Sequence, residues 1–220
     1  GYEMRIDKIT ENANKEEMAT ALLEMIKNEN EENKEFLKSA HQALFKYYAD
    51  KKMPAEALAE LKIIGLDESP YQPQTLKRQA ETLYENGIAL DKAMELALKS
   101  LALADTFPAG LIRYFPETGY LPAAVSKADR LKSTLAAKGS LNVLIGLIEE
   151  KRGNQTAADY YVNKGLTYSA DEETLTKAAA YFEAHKNYEK AYDLYRQTAT
   201  AYPLDTLSFQ KMEKNFYLFS

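Results

Sequence analysis

The chain has 220 residues, 45% of them apolar, with a formal charge of −5 and no cysteine. That is enough apolar chain for a sizeable core. It is too acidic for nucleic acid as a main partner, and it lacks the thiols that a disulfide framework, a cysteine nucleophile or a thiolate metal site needs. No run of about 18 apolar residues occurs, so no segment reads as a membrane span.

The chain opens with Gly1-Tyr2 in place of an initiator methionine, which reads as a trimmed start of a longer precursor. Glycines number only 9, long segments are rich in Ala, Leu, Lys and Glu, and β-branched runs of period two are absent, so helices are expected almost throughout. Residues 14–28 form a first amphipathic helix with Met18, Leu22, Met25 and Ile26 on one face. The acidic stretch NENEENKE at 28–35 follows as a solvated turn without calcium-loop spacing. Two helices then face each other through Leu44, Tyr48, Ala57 and Leu61, and two more through Ala80, Tyr84, Ala93 and Ala97.

The stretch LIRYFPETGYLP at 111–122 breaks this pattern with two prolines, a glycine and three rings, and residues 122–139 resume as helix. Asn142, Ile145 and Gly146 pair with Ala158 and Val162 across a turn at Gly153. Leu175, Ala178, Ala179 and Phe182 line one helix by i, i+3, i+4, i+7 spacing. His185-Lys186-Asn187 is a polar break, and Ala191, Tyr195 and Thr198 line the next helix until Pro203 stops it. A last helix over 205–218 carries Leu207, Met212, Phe216 and Phe219, and the apolar end NFYLFS is expected to pack on the unit before it.

These pairs start near residues 38, 74, 139 and 172, close to a 34-residue period with one interval nearly double. With Leu175, Ala178, Ala179, Phe182, Ala191, Tyr195 and Pro203 in its motif positions, the chain resembles the tetratricopeptide repeat (TPR). The resemblance implies an all-α fold of antiparallel helical hairpins stacked as a right-handed solenoid. Its parts would be N-terminal capping helices at 1–37, two repeats at 38–104, a degenerate repeat with the aromatic loop at 105–138, two repeats at 139–203 and a capping helix at 204–220.

Two surfaces are candidate partner sites. In the loop, Arg113, Tyr114, Phe115 and Tyr120 serve either as anchors on a proline-stiffened segment or as cover for the core where a helix is missing. On the inner face implied by the repeat register lie Gln42, Lys46, Arg78, Thr82, Val143, Leu147, Lys151, Thr176, Ala180 and Glu183. The family's clamp for a peptide C-terminal carboxylate uses basic and Asn side chains on successive repeats. Gln42, Thr82, Leu147 and Ala180 depart from that pattern, which speaks against such a clamp here. His41 and His185 are far apart and read as surface or helix-end residues, and most of the 16 tyrosines read as packing residues with hydroxyls at the rim.

No residue set reads as a catalytic, cofactor or metal site, so the chain is expected to be a non-catalytic scaffold for a protein or peptide, with no nucleic acid and no membrane span. Phe115, Pro116, Gly119 and Tyr120 are also similar to an insert in helical regions preceding a thioredoxin-like domain in secreted bacterial thiol–disulfide proteins. That resemblance implies the alternative of an accessory domain, with the partner an adjacent domain of the same chain and a periplasmic or otherwise extracytoplasmic location. A glycan-binding or enzymatic all-α domain would need a deep cleft with convergent polar groups, which the sequence does not offer.

Overall fold

The computed structural model describes residues 14–28, 34–65, 72–104, 126–168, 170–201 and 206–219. Among them every regular element of three residues or more is an α-helix: α1 Lys15–Lys27, α2 Lys34–Asp50, α3 Pro54–Ile64, α4 Gln72–Asn86, α5 Leu90–Ala102, α6 Lys127–Lys151, α7 Gln155–Leu166, α8 Glu172–Ala184, α9 Tyr188–Ala201 and α10 Thr206–Phe219. The all-α, multi-helix fold with neighbouring helices packed on one another is as expected. The chain divides into two compact units, Gly1–Ala93 and Met94–Ser220.

Local chemistry sets several helix starts. Asn14 accepts from the amides of Glu16 and Glu17 at α1, Ser126 accepts from Asp129 at α6, and Asp171 accepts from Thr174 at α8. Each side-chain oxygen satisfies an amide that has no partner inside the helix. Pro54 opens α3, where its missing amide costs nothing.

Four helix-to-helix turns share one design. In each, a residue in the left-handed region follows the helix: Lys52, Gly87, Gly153 and Lys186, with φ of 59, 65, 83 and 60°. Its amide donates three residues back, and the next amide donates five residues back, as in Lys186 to Glu183 O and Asn187 to Phe182 O. This is a Schellman cap, which satisfies the helix's orphan carbonyls. In the helix that follows, Ala57, Ala93, Ala158 and Ala191 are all fully buried.

In the first unit, α2 packs on α1, α3 and α4. Met18, Ala19 and Leu22 meet Ala40 and Leu44, flanked by Met25, Ile26, Tyr47 and Tyr48, so the expected face of α1 is the buried one. Polar ties bind the same helices. Lys51 pairs with Glu16, Lys52 Nζ donates to Asn86 O and Oδ1 at 2.6 and 2.9 Å, and His41 Nδ1 lies 2.6 Å from Glu60 Oε2.

In the second unit, α6 packs on α7 and α8, α8 on α9, and α9 on α10. Gly146 and Gly165 let α6 and α7 cross closely: a Cβ on Gly146 would lie 2.6 Å from Val162 Cγ2, and one on Gly165 would lie 2.8 Å from Gly139 O. The boundary expected at 138/139 falls inside α6, which runs unbroken from Lys127 to Lys151. Gly139 weakens a helix by about 1 kcal/mol, but it is buried at the crossing, where the closeness of Gly165 offsets that cost.

The final helix also differs from expectation. α10 turns Ser208 and Asn215 inward, 1% and 0% exposed, and leaves Leu207, Phe209, Phe216, Tyr217, Leu218 and Phe219 exposed. Short side chains let α10 approach α9 closely, so the larger rings are displaced to its flanks. Phe216 and Phe219 reach Tyr192 with ring centroids 5.7 and 5.4 Å away, which covers only part of each ring.

Candidate functional site

In the first unit, α2 and α4 border a cleft of about 360 Å³ lined by Ser39, Gln42, Ala43, Phe45, Lys46, Thr75, Arg78, Gln79 and Thr82. The helical period brings these together. Ser39, Gln42 and Lys46 recur at i, i+3, i+7 on α2, and Thr75, Arg78, Gln79 and Thr82 at i, i+3, i+4, i+7 on α4. The complementary face of α4 carries Leu76, Ala80 and Leu83, all buried. The core therefore fixes the rotation of α4 and aims its polar stripe at the cleft.

Four residues expected on the inner face, Gln42, Lys46, Arg78 and Thr82, thus share one cleft. Lys46 and Arg78 are exposed, and among the described residues neither forms an ion pair. No acidic side chain lines the cleft to offset them. The cleft is a local positive patch on a chain of net charge −5. Gln79 and Thr75 escaped the sequence reading, although stepping back and forward one residue and one turn from Arg78 reaches both.

The second unit has a larger groove, of about 840 Å³, lined by Asp171, Glu172, Glu173, Thr176, Lys177, Ala180, Tyr195, Leu207, Ser208 and Lys211. Thr176 and Ala180, expected on the inner face, line it. Glu183 is held just beyond. Its carboxylate accepts from Tyr195 Oη at 3.2 Å, Lys211 Nζ at 3.1 Å and Lys214 Nζ at 2.7 Å. Burial pushes the Glu183 carboxyl up, but the Lys214 and Lys211 ammoniums outweigh it and hold it below the usual range. Burial and then the Glu183 charge raise the Tyr195 phenol. Glu183 is therefore a clasp joining α8, α9 and α10, with its acceptors already engaged.

The other expected site residues are placed apart from these two pockets or are not described. Val143 and Leu147 are 1% and 6% exposed and lie inside an unbroken buried run from Leu141 to Ile148, because α6 is packed by both α7 and α8. Lys151 is exposed near the end of α6. Arg113, Tyr114, Phe115 and Tyr120 lie outside the described residues, as does most of the 28–35 stretch.

The histidines cross-link helices. His41 is within α2, its side chain 12% exposed against Glu60 at 10%, whereas a surface or helix-end place was expected. His185 caps α8 as expected and joins a cluster across α6, α7 and α8. Its Nε2 lies 3.0 Å from Gln155 Oε1 and 3.4 Å from Glu150 Oε1. Tyr181 Oη donates to Asp159 Oδ1 at 2.5 Å, and Gln155 Nε2 donates to Tyr181 Oη at 2.6 Å. Burial, then Asp159, raise the Tyr181 phenol, so it stays a donor. Among the described residues no group of three or more His, Cys, Asp or Glu is placed to hold a metal, and no helix is long and apolar enough to cross a membrane.

No family model, curated protein or solved structure matches this chain.

Proposed function

We propose that the chain is a non-catalytic interaction module, a TPR-like array of helical hairpins that binds an acidic peptide segment of a partner in the α2–α4 cleft. The observation that carries the reading is the convergence of Lys46 and Arg78, both without an ion pair, in one polar cleft of an otherwise acidic chain. An extended acidic segment supplies the missing negative charge, and Arg can take a carboxylate through two parallel hydrogen bonds. The repeated Schellman turn supports the array. Its left-handed residues at 52, 87, 153 and 186 recur at roughly the 34-residue period, with one interval nearly double.

The cleft differs from the family's C-terminal carboxylate clamp, since Gln42 and Thr82 stand at positions that clamp fills otherwise. It suits side-chain carboxylates within a segment. Fluorescence anisotropy with labelled acidic and neutral peptides tests the reading. Acidic peptides should bind more tightly, weaken as salt rises, and lose binding to the K46E/R78E double variant. Equal binding of neutral peptides, or full retention by the double variant, would remove the reading.

A further inference from the structure

We propose that Gln79 is the specificity-determining residue of the α2–α4 cleft: its amide recognises the backbone N–H and C=O of one residue of the bound segment, and so selects a peptide over a simple anion. The inference rests on the binding reading above. It starts from a residue that packing does not explain. Gln79 is 8% exposed, it lines the cleft, and among the described residues no hydrogen bond reaches its side chain. Its amide is not among the fully buried groups that lack a partner, so the little exposure it keeps opens the amide to the cleft, where a ligand can pair with it. The neighbouring polar group is already engaged, since the Thr82 hydroxyl donates to Arg78 O.

The chemistry of the amide defines what fits. Gln offers an N–H donor and a carbonyl acceptor side by side. One residue of an extended segment offers the reverse pair, its own N–H and C=O facing the same side. Sulfate and free carboxylate present acceptors alone, so they would set an oxygen against Gln79 Oε1. Lys46 and Arg78 attract any anion, and Gln79 adds the distinction they cannot make. Its position one residue after Arg78 keeps it on the cleft stripe, while Ala80 after it is buried in the core.

The test uses the full chain and an acetylated, amidated peptide of alternating Glu and Ala, with inorganic sulfate as the competing probe. The peptide should bind, and sulfate at the same ionic strength should displace it only weakly. Q79M, close in size and without the amide, should weaken peptide binding about tenfold and leave the salt dependence unchanged. A series of peptides with single backbone ester replacements removes one N–H at a time. One replacement should cost the parent protein about tenfold and cost Q79M nothing further. Unchanged peptide affinity in Q79M overturns the inference, as does an ester series that reads the same in both proteins. Loss of binding in K46E/R78E alongside either result leaves the cleft reading standing; retained binding in that double variant overturns both. The ester series on the parent protein decides the matter if Q79M folds poorly, because a flat series there also overturns the inference.

Discussion

Gly165 of α7 lies so close to Val143 of α6 that a Cβ at residue 165 would sit 2.6 Å from Val143 Cγ2 and 3.0 Å from the Val143 amide nitrogen. The second clash is with backbone, which cannot rotate away. Gly165→Ala should therefore push the two helices apart and cost about 1–3 kcal/mol, read as a lower urea midpoint. The same backbone conflict occurs at Gly146 with Val162 N at 2.9 Å, so Gly146→Ala should cost a similar amount. A midpoint within error of the parent for both variants would contradict the crossing.

How far the fold was legible follows from the same residues. Gly146 and the buried alanines at 57, 93, 158 and 191 stand out because a small residue recurring at a fixed interval marks a close helix contact. Gly165 is silent in sequence: a single glycine near a helix end looks like a cap until its partner helix is known. The continuity of α6 was illegible for a related reason, since Gly139 resembles a break unless the crossing that keeps it helical is seen. The polar stripe of α4 was half legible. Arg78 and Thr82 follow from the repeat register, while Gln79 is distinguished only by its place in the cleft lining, which needs the packing of α2 on α4 to be seen. In α10, apolar content suggested the wrong face, because Ser208 and Asn215 give the closer approach.

The Schellman turns predict opposite effects for two substitutions. Gly153 and Lys186 hold equivalent positions with φ of 83 and 60°. A side chain there is strained, and glycine is not. Lys186→Gly should raise stability by about 0.5–1 kcal/mol, and Gly153→Ala should lower it by about 1 kcal/mol. Thermal melts of both variants check the pair, and equal signs would refute the shared turn geometry.

His41 and Glu60 join α2 to α3 at 2.6 Å with little exposure of either side chain. Truncating Glu60 leaves the imidazole without its carboxylate in a largely buried place. Glu60→Ala should cost about 1–3 kcal/mol, and Glu60→Gln, which keeps an acceptor, should cost less. Urea titration of both at neutral pH separates them. Equal losses would mean that packing of the side chain stem carries the effect.

Ala191 is fully buried in α9, one of the four alanines that follow the repeated turns. Ala191→Leu should overpack the α8–α9 contact by about 1–3 kcal/mol. An unchanged melting curve would show that α9 has room at this position, and the close contact assigned to it would be wrong.

The clasp at Glu183 gives a pH dependence whose sign is fixed. Lys214 and Lys211 hold its carboxyl below the usual glutamate range against the upward push of burial. The folded chain thus binds this proton less readily than the unfolded chain. The clasp's stabilisation is complete at neutral pH, begins to fade near the unfolded value and is lost as pH falls through the folded one. With Lys214 largely in solvent, solvent screening keeps the effect to the order of 1 kcal/mol. Glu183→Gln should therefore be less stable than the parent at pH 7, and the gap should close on titration below about pH 4, beneath the ordinary glutamate range. Urea midpoints of the two proteins from pH 7 to pH 3 make the comparison. Curves that stay parallel across that range would show that the Glu183 charge does not hold α10 to α8, and would leave the aromatic contacts of Tyr192 with Phe216 and Phe219 to do so.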